Sequence, residues 1–293
     1  MNSVLLLSAA AVGILLAIQA AVNLQLSKAV GTPYGAATIQ LSVALVLLAA
    51  IAAFNGDLGA LTHLGDVAPW KLLGGIASPF YITSAIVLLP RLGALASVGL
   101  FVTGQMLVSL LVDYFGGRPL TVFSYLGALV VIAGISTMVK QAKLSGWMLL
   151  GLAAGGVLPL QAAVNAALMR DLGRPLAVGL TSFAVATAVI AAVFLVLRIT
   201  GHTPAPAYSG LAAMPWWGWL GGAAAAAYVV STFLLVPAIG AATTISLTIT
   251  GQQAASALAD HYGWFRLPQR KLNRSRGIGL SLLVIGSVLV HHP

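Results

Sequence analysis

The sequence predicts an all-α integral membrane protein: ten transmembrane helices arranged as two inverted five-helix repeats. Three observations predict it. Hydrophobic residues make up 60% of the 293 and charged residues only 6%, whereas a soluble domain carries about 25% charge. Apolar runs of membrane-crossing length follow one another between short punctuating segments. The chain also repeats itself, in one order, at a spacing of 142–147 residues. A soluble enzyme, a disordered tail and a disulfide scaffold are excluded. With no cysteine present, thiol catalysis and thiolate metal sites are excluded as well.

The spans are expected at Val4–Ser27, Pro33–Phe54, Trp70–Leu89, Ala94–Val112, Leu120–Val139, Gly146–Leu168, Pro175–Leu197, Trp217–Val236, Ala241–Ala259 and Ile278–Val290. The last is short and must borrow from its flanks, since crossing takes roughly 20 residues. Helices are required because lipid offers bare backbone no partner, and barrel strands would alternate in polarity instead. The first span lacks a basic leader and has a long apolar stretch, so it is expected to stay as a span rather than be cleaved.

Counting loops alternately puts Lys71, Arg118, Arg170 and Arg174 on one side with four aspartates. The other side holds ten cations, from Lys28 through Lys140 and Lys143 to the Arg266–Arg276 cluster, against Asp260 alone. The cation-rich side is expected to be cytoplasmic, with both termini outside. The +9 net charge is thus read as a topology signal and not as a nucleic-acid patch.

The repeat is explicit. Gln19-x-x-x-Asn23 recurs as Gln161-x-x-x-Asn165, and Gly31-Thr-Pro33 as Gly173-Arg-Pro175, both 142 residues on. At an offset of 147, Trp70, Gly74-Gly75, Tyr81, Pro90, Gly93-Ala94, Thr103-Gly-Gln105, Ser109 and Asp113 match Trp217, Gly221-Gly222, Tyr228, Pro237, Gly240-Ala241, Thr250-Gly-Gln252, Ser256 and Asp260. The halves are assigned to 1–141 and 142–293. Five spans per half is an odd number, so the second half enters the bilayer upside down, the build of many secondary transporters.

Gln-x-x-x-Asn in the first helix of each half, and Gly-Gln-x-x-x-Ser-x-x-x-Asp followed by an aromatic and Gly in the fourth, resemble the YdcZ family of the drug/metabolite transporter superfamily in its fused two-repeat form. The resemblance spans essentially the whole chain. It implies a ten-helix fold in a bacterial-type inner membrane and a transport role, and it leaves the substrate open. The related small multidrug-resistance exporters exchange protons through a Glu in their first helix. This sequence has no Glu, so that mechanism does not carry over.

Polar groups at membrane depth need partners, so their placement is informative. Spacing of four stacks Gln105, Ser109 and Asp113 on one helix face, and Gln252, Ser256 and Asp260 on another. Inversion makes these two polar tracks leading from mid-membrane to opposite surfaces. Lining of a solute path is one reading and interhelical glue, worth about 1 kcal/mol per amide, the other. Asp113 and Asp260 are candidates for an ion, proton or gate site. Each also stands before an aromatic-Gly turn, where it would close a helix end or pair with Arg118 or Arg266. Gln19, Asn23, Gln161 and Asn165 supply uncharged donors and acceptors, and Tyr81 and Tyr228 aim hydroxyls inward or simply pack. Tryptophans at span starts read as interfacial anchors. The Gly pairs, including Gly155-Gly156, allow close helix approach, and Pro79 and Pro159 are expected to kink their spans.

These features predict a transporter moving a small neutral, zwitterionic or weakly polar solute by alternating access about a midplane site. A lipid flippase or scramblase and a non-transporting membrane scaffold are the alternatives. A channel would show charged rings or a carbonyl filter. An enzyme would need paired groups at one face, where Asp113 and Asp260 lie at opposite ones. No cofactor or metal site is expected. The partners are membrane lipid and the solute. The fused chain is expected to act alone, with a weak homodimer left open.

Overall fold

A computed structural model describes residues 3–117, 120–139 and 145–290, and these are helical with no strand. Arg118, Lys140 and Lys143, used above, lie outside the described residues. The helices are α1 (Ser3–Val30), α2 (Pro33–Phe54), α3 (Ala77–Leu92), α4 (Ala94–Phe115), α5 (Val122–Val139), α6 (Gly146–Leu172), α7 (Pro175–Ile199), a five-residue α8 (Tyr208–Ala212), α9 (Leu220–Ile239), α10 (Ala241–Tyr262) and α11 (Arg274–Val290).

Eight of the ten expected spans are helices long and apolar enough to cross a membrane. The remaining two are the last of the chain. α10 has 22 residues but carries four threonines and two glutamines. α11 has 17 residues and takes its extra turn from the basic flank, starting at Arg274 rather than Ile278. Spans three and eight open as 3-10 segments, Pro69–Ile76 and Trp216–Trp219, before turning α-helical. Pro79 is not the interior kink expected of it. It falls in the first turn of α3, where a missing N–H removes no intrahelical bond. The interior prolines are Pro90, Pro159 and Pro237.

The sequence repeat is also a backbone repeat. Gly93 and Gly240 adopt φ/ψ of 88°/164° and 83°/153°, a region open in practice only to glycine. Each ends one helix and lets the next begin at the following alanine. Pro33 and Pro175 both stand at the first position of their helices, where fixed φ suits a helix start.

Packing divides the chain into two compact units. One comprises Met1–Ile18, Leu88–Pro159 and Ser231–Pro293, the other Gln19–Val87 and Leu160–Val230. Each unit takes residues from both sequence halves.

In the first unit, α5 and α11 pack through glycines one heptad apart. A Cβ on Gly127 would meet Gly286 O at 2.8 Å, and one on Gly134 would meet Gly279 O at 2.9 Å. Rising numbers on one helix meet falling numbers on the other, so the pair is antiparallel. Equivalent close approaches recur between the halves. A Cβ on Gly104 would overlap Leu152 O, and one on Gly251 would overlap Ala10 O. Likewise Gly155 abuts Phe101 O and Gly13 abuts Thr248 O. These pairs map onto each other through the 142 and 147 offsets, so α6 meets α4 as α1 meets α10.

The second unit shows the same crossing. Gly74 lies under the Asn165 side chain and Gly221 under that of Asn23. Gly75 faces Ser182 O and Ala186 N, while Gly222 faces Gln40 O and Val43. At one end, the Asp57–Asp66 3-10 segment leads to Val67, which packs on Leu168, Leu172, Ala177 and Val178. That corner is pinned by Lys71 Nζ to Asp171 at 2.6 Å and Arg174 to Asp57 at 3.5 Å.

Candidate functional site

The polar residues singled out in the sequence divide between the units. Gln105, Ser109, Asp113, Gln252, Ser256 and Asp260 belong to the first, and Gln19, Asn23, Tyr81, Gln161, Asn165 and Tyr228 to the second. Equivalent positions are unequally covered. On α10, Gln252, Ser256 and Asp260 are 6%, 1% and 1% exposed, whereas Gln105, Ser109 and Asp113 on α4 are all half-buried. On α1, Gln19 and Asn23 are buried, whereas Gln161 and Asn165 on α6 are half-buried.

In the first unit Asp260 ends a stripe and closes a knot. Its carboxylate accepts from Ala94 N at 2.7 Å and Leu95 N at 3.2 Å. These are orphan donors at the start of α4, which Gly93 cannot cap with a side chain. The other partner is Arg276, and not the Arg266 expected from the sequence. Arg276 stands in the first turn of α11 and also donates to Arg270 O at 2.6 Å. Arg270 donates to Arg91 O at 3.0 Å, and its N–H reaches Asp260 O at 2.6 Å. A Cβ on Gly93 would lie 2.8 Å from Asp260 Oδ2 and 2.7 Å from Arg270 Cδ, so the knot requires glycine there on two counts. At the equivalent Gly240 a Cβ would meet open space among the described residues. Asp113 has interaction partners of its own.

In the second unit Gln161 Nε2 donates to Ser78 Oγ at 2.9 Å, and Asn165 Nδ2 to Ser182 Oγ at 3.4 Å. The equivalent α1 amides differ. Gln19 Oε1 and Asn23 Oδ1 have no hydrogen-bond partner among the described residues. The same holds for both amide atoms of Gln40, 1% exposed. Tyr81 and Tyr228 are half-buried and engaged with other groups.

The model of a family described as "Putative inner membrane exporter, YdcZ" matches residues 4–137 and again 146–289. The chain belongs to the YdcZ family. Two copies of one family model in a single chain make it a fused, two-repeat member of this inner-membrane exporter family. No curated protein matches. A solved structure described only as the crystal structure of a protein is 17% identical, with a TM-score of 0.62, covering 97% of this chain and 96% of its own. That likeness concerns the fold alone.

Three features of this YdcZ member escaped the sequence reading. Gln40 and Gln253 are 1% and 0% exposed, and all their amide atoms are unpartnered among the described residues. Ser78 and Ser182 satisfy the α6 amides. Arg276 pairs with Asp260. The signal for Gln40 was present, an amide inside an apolar run, like Gln19. Selecting polar residues by their recurrence in both halves passed over it, because Gln40 is matched by Ser182 and Gln253 by Met106.

Proposed function

We propose that this chain is an inverted-repeat transporter that moves a small neutral, zwitterionic or weakly polar organic solute by alternating access about a midplane site. The observation that carries it is the inequality of equivalent polar stripes. Gln252, Ser256 and Asp260 are covered and their end is tied by Arg276 and Arg270, while Gln105, Ser109 and Asp113 are half-open and the equivalent Gly240 is unobstructed among the described residues. Exchanging the two conditions between equivalent stripes is what alternating access requires. The antiparallel α5–α11 seam and the interlocked glycine contacts support ten spans with inverted halves. Ion pairs such as Lys71–Asp171 and Arg174–Asp57 join residues that the alternating loop count assigns to one side.

Substituting leucine for Gln105 or Gln252 keeps apolar bulk and deletes every hydrogen bond. Solute flux per folded molecule in proteoliposomes is expected to fall by at least tenfold, about 1.4 kcal/mol, with melting nearly unchanged. Normal flux with impaired melting would make the amides interhelical glue and defeat the reading.

A further inference from the structure

The two amide clusters of the second unit began as copies and have diverged. Gln19, Asn23, Gln40 and Ala225 occupy the positions that Gln161, Asn165, Ser182 and Ser78 fill in the other repeat, at offsets of 142 for the first three pairs and 147 for the last. Where two serines stand, the amides are bonded to them. Where a longer amide and an alanine stand, four buried polar atoms are left without a partner among the described residues: Gln19 Oε1, Asn23 Oδ1, Gln40 Oε1 and Gln40 Nε2. The cluster is compact. Asn23 Oδ1 overlies Gly221, and Gln40 Cγ would lie 3.3 Å from a Cβ built on that same glycine. Gln19 is one helical turn from Asn23 on α1.

Unmet buried polar atoms are strongly unfavourable, and serine at position 40 would remove two of them, as Ser182 does in the other half. Keeping an amide with both ends unmet suits a site whose partner arrives with the ligand. The buried unmet atoms are three acceptor oxygens and one amide nitrogen, so the cluster can both accept and donate, with no charged side chain among these residues. An ion buried there would lack a counter-charge.

We propose that Gln19, Asn23 and Gln40 are the solute-contacting cluster, selective for a compact uncharged solute that carries both hydrogen-bond donors and acceptors, the chemistry shared by short polyols and ureas. Gln161, Asn165, Ser78 and Ser182 are its self-satisfied structural copy. This deepens the transporter reading and rests on it for the word solute, while the binding claim stands separately.

The test uses the full chain in detergent, with erythritol and N-methylurea at millimolar concentration as probes, read by saturation-transfer NMR and calorimetry. One variant, Gln40→Ser with Ala225→Ser, writes the closed pattern into the open cluster. A second, Ser78→Ala with Ser182→Ala, opens the closed one. The wild type is expected to bind at least one probe. The first variant should lose binding by about tenfold or more while melting at a higher temperature. The second should melt lower and bind as the wild type does. Failure of both probes to bind the wild type would overturn the proposal, as would unchanged binding in the first variant. Binding that obeys these expectations without flux in proteoliposomes would sink the transporter reading alone. Flux of a probe that the first variant leaves intact would sink the cluster alone.

Discussion

Asp260 illustrates how one side chain acts at several levels. It is 1% exposed, caps α4 from a different helix and holds Arg276, whose side chain is 13% exposed. Asp260→Asn leaves that guanidinium without its counter-charge, and removing one partner of a buried pair costs about 3–5 kcal/mol. The melting temperature is expected to drop sharply in Asp260→Asn and in Arg276→Gln, and the double variant should lose less than the two losses added together. Calorimetry of the three purified variants checks this. His63 and Asp66, 3.9 Å apart with side chains 72% and 86% exposed, provide the contrast: Asp66→Asn should leave melting unchanged, as exposed pairs contribute little.

At the scale of the element, the helices are held by backbone contact at small residues more than by large side chains. Gly104, Gly155, Gly251 and Gly13 each face a carbonyl oxygen of a neighbouring helix where a Cβ would overlap it. Carbonyls on a rigid helix cannot give way as a flexible side chain can. Alanine at any of these four is expected to destabilise by about 1–3 kcal/mol or more, the usual range for overpacking. Alanine at Gly146 or Gly277, where a Cβ meets nothing within 4 Å among the described residues, should be neutral or slightly stabilising. Folded yield and thermal melting distinguish the two groups. Equal losses at Gly104 and Gly251 would further match the equivalence of these contacts under the repeat.

For the whole molecule, the expectation most open to direct measurement is orientation. The cation count predicts that Thr62, in the segment between α2 and α3, faces outside and that His202, after α7, faces the cytoplasm. Both are exposed, and the native chain has no cysteine to interfere. A membrane-impermeant thiol reagent applied to intact cells is expected to label Thr62→Cys and to label His202→Cys only after lysis. The reverse pattern would invert the topology and exchange the sides assigned to the two polar stripes.

Eight of the ten span positions, the proline helix starts and the twofold character of the chain were legible in the sequence because they depend on residue order and local rules. Apolar length, a proline at a helix start and a glycine between two helices act wherever they occur. The equivalence of Gln19 with Gln161 and of Gln105 with Gln252 was equally legible, because a repeat is a property of the residue order. Which member of each pair is covered, and which is satisfied, was decided only by tertiary structure. Asp260 found Arg276 rather than Arg266 because α11 brings its first turn back to the end of α10. Gln161 is bonded because α3 and α7 present Ser78 and Ser182 to α6, whereas Gln40 and Ala225 in the equivalent places leave Gln19 and Asn23 unmet. Hydrogen-bond satisfaction depends on neighbours distant in the chain, and identical local motifs therefore end in different chemical states.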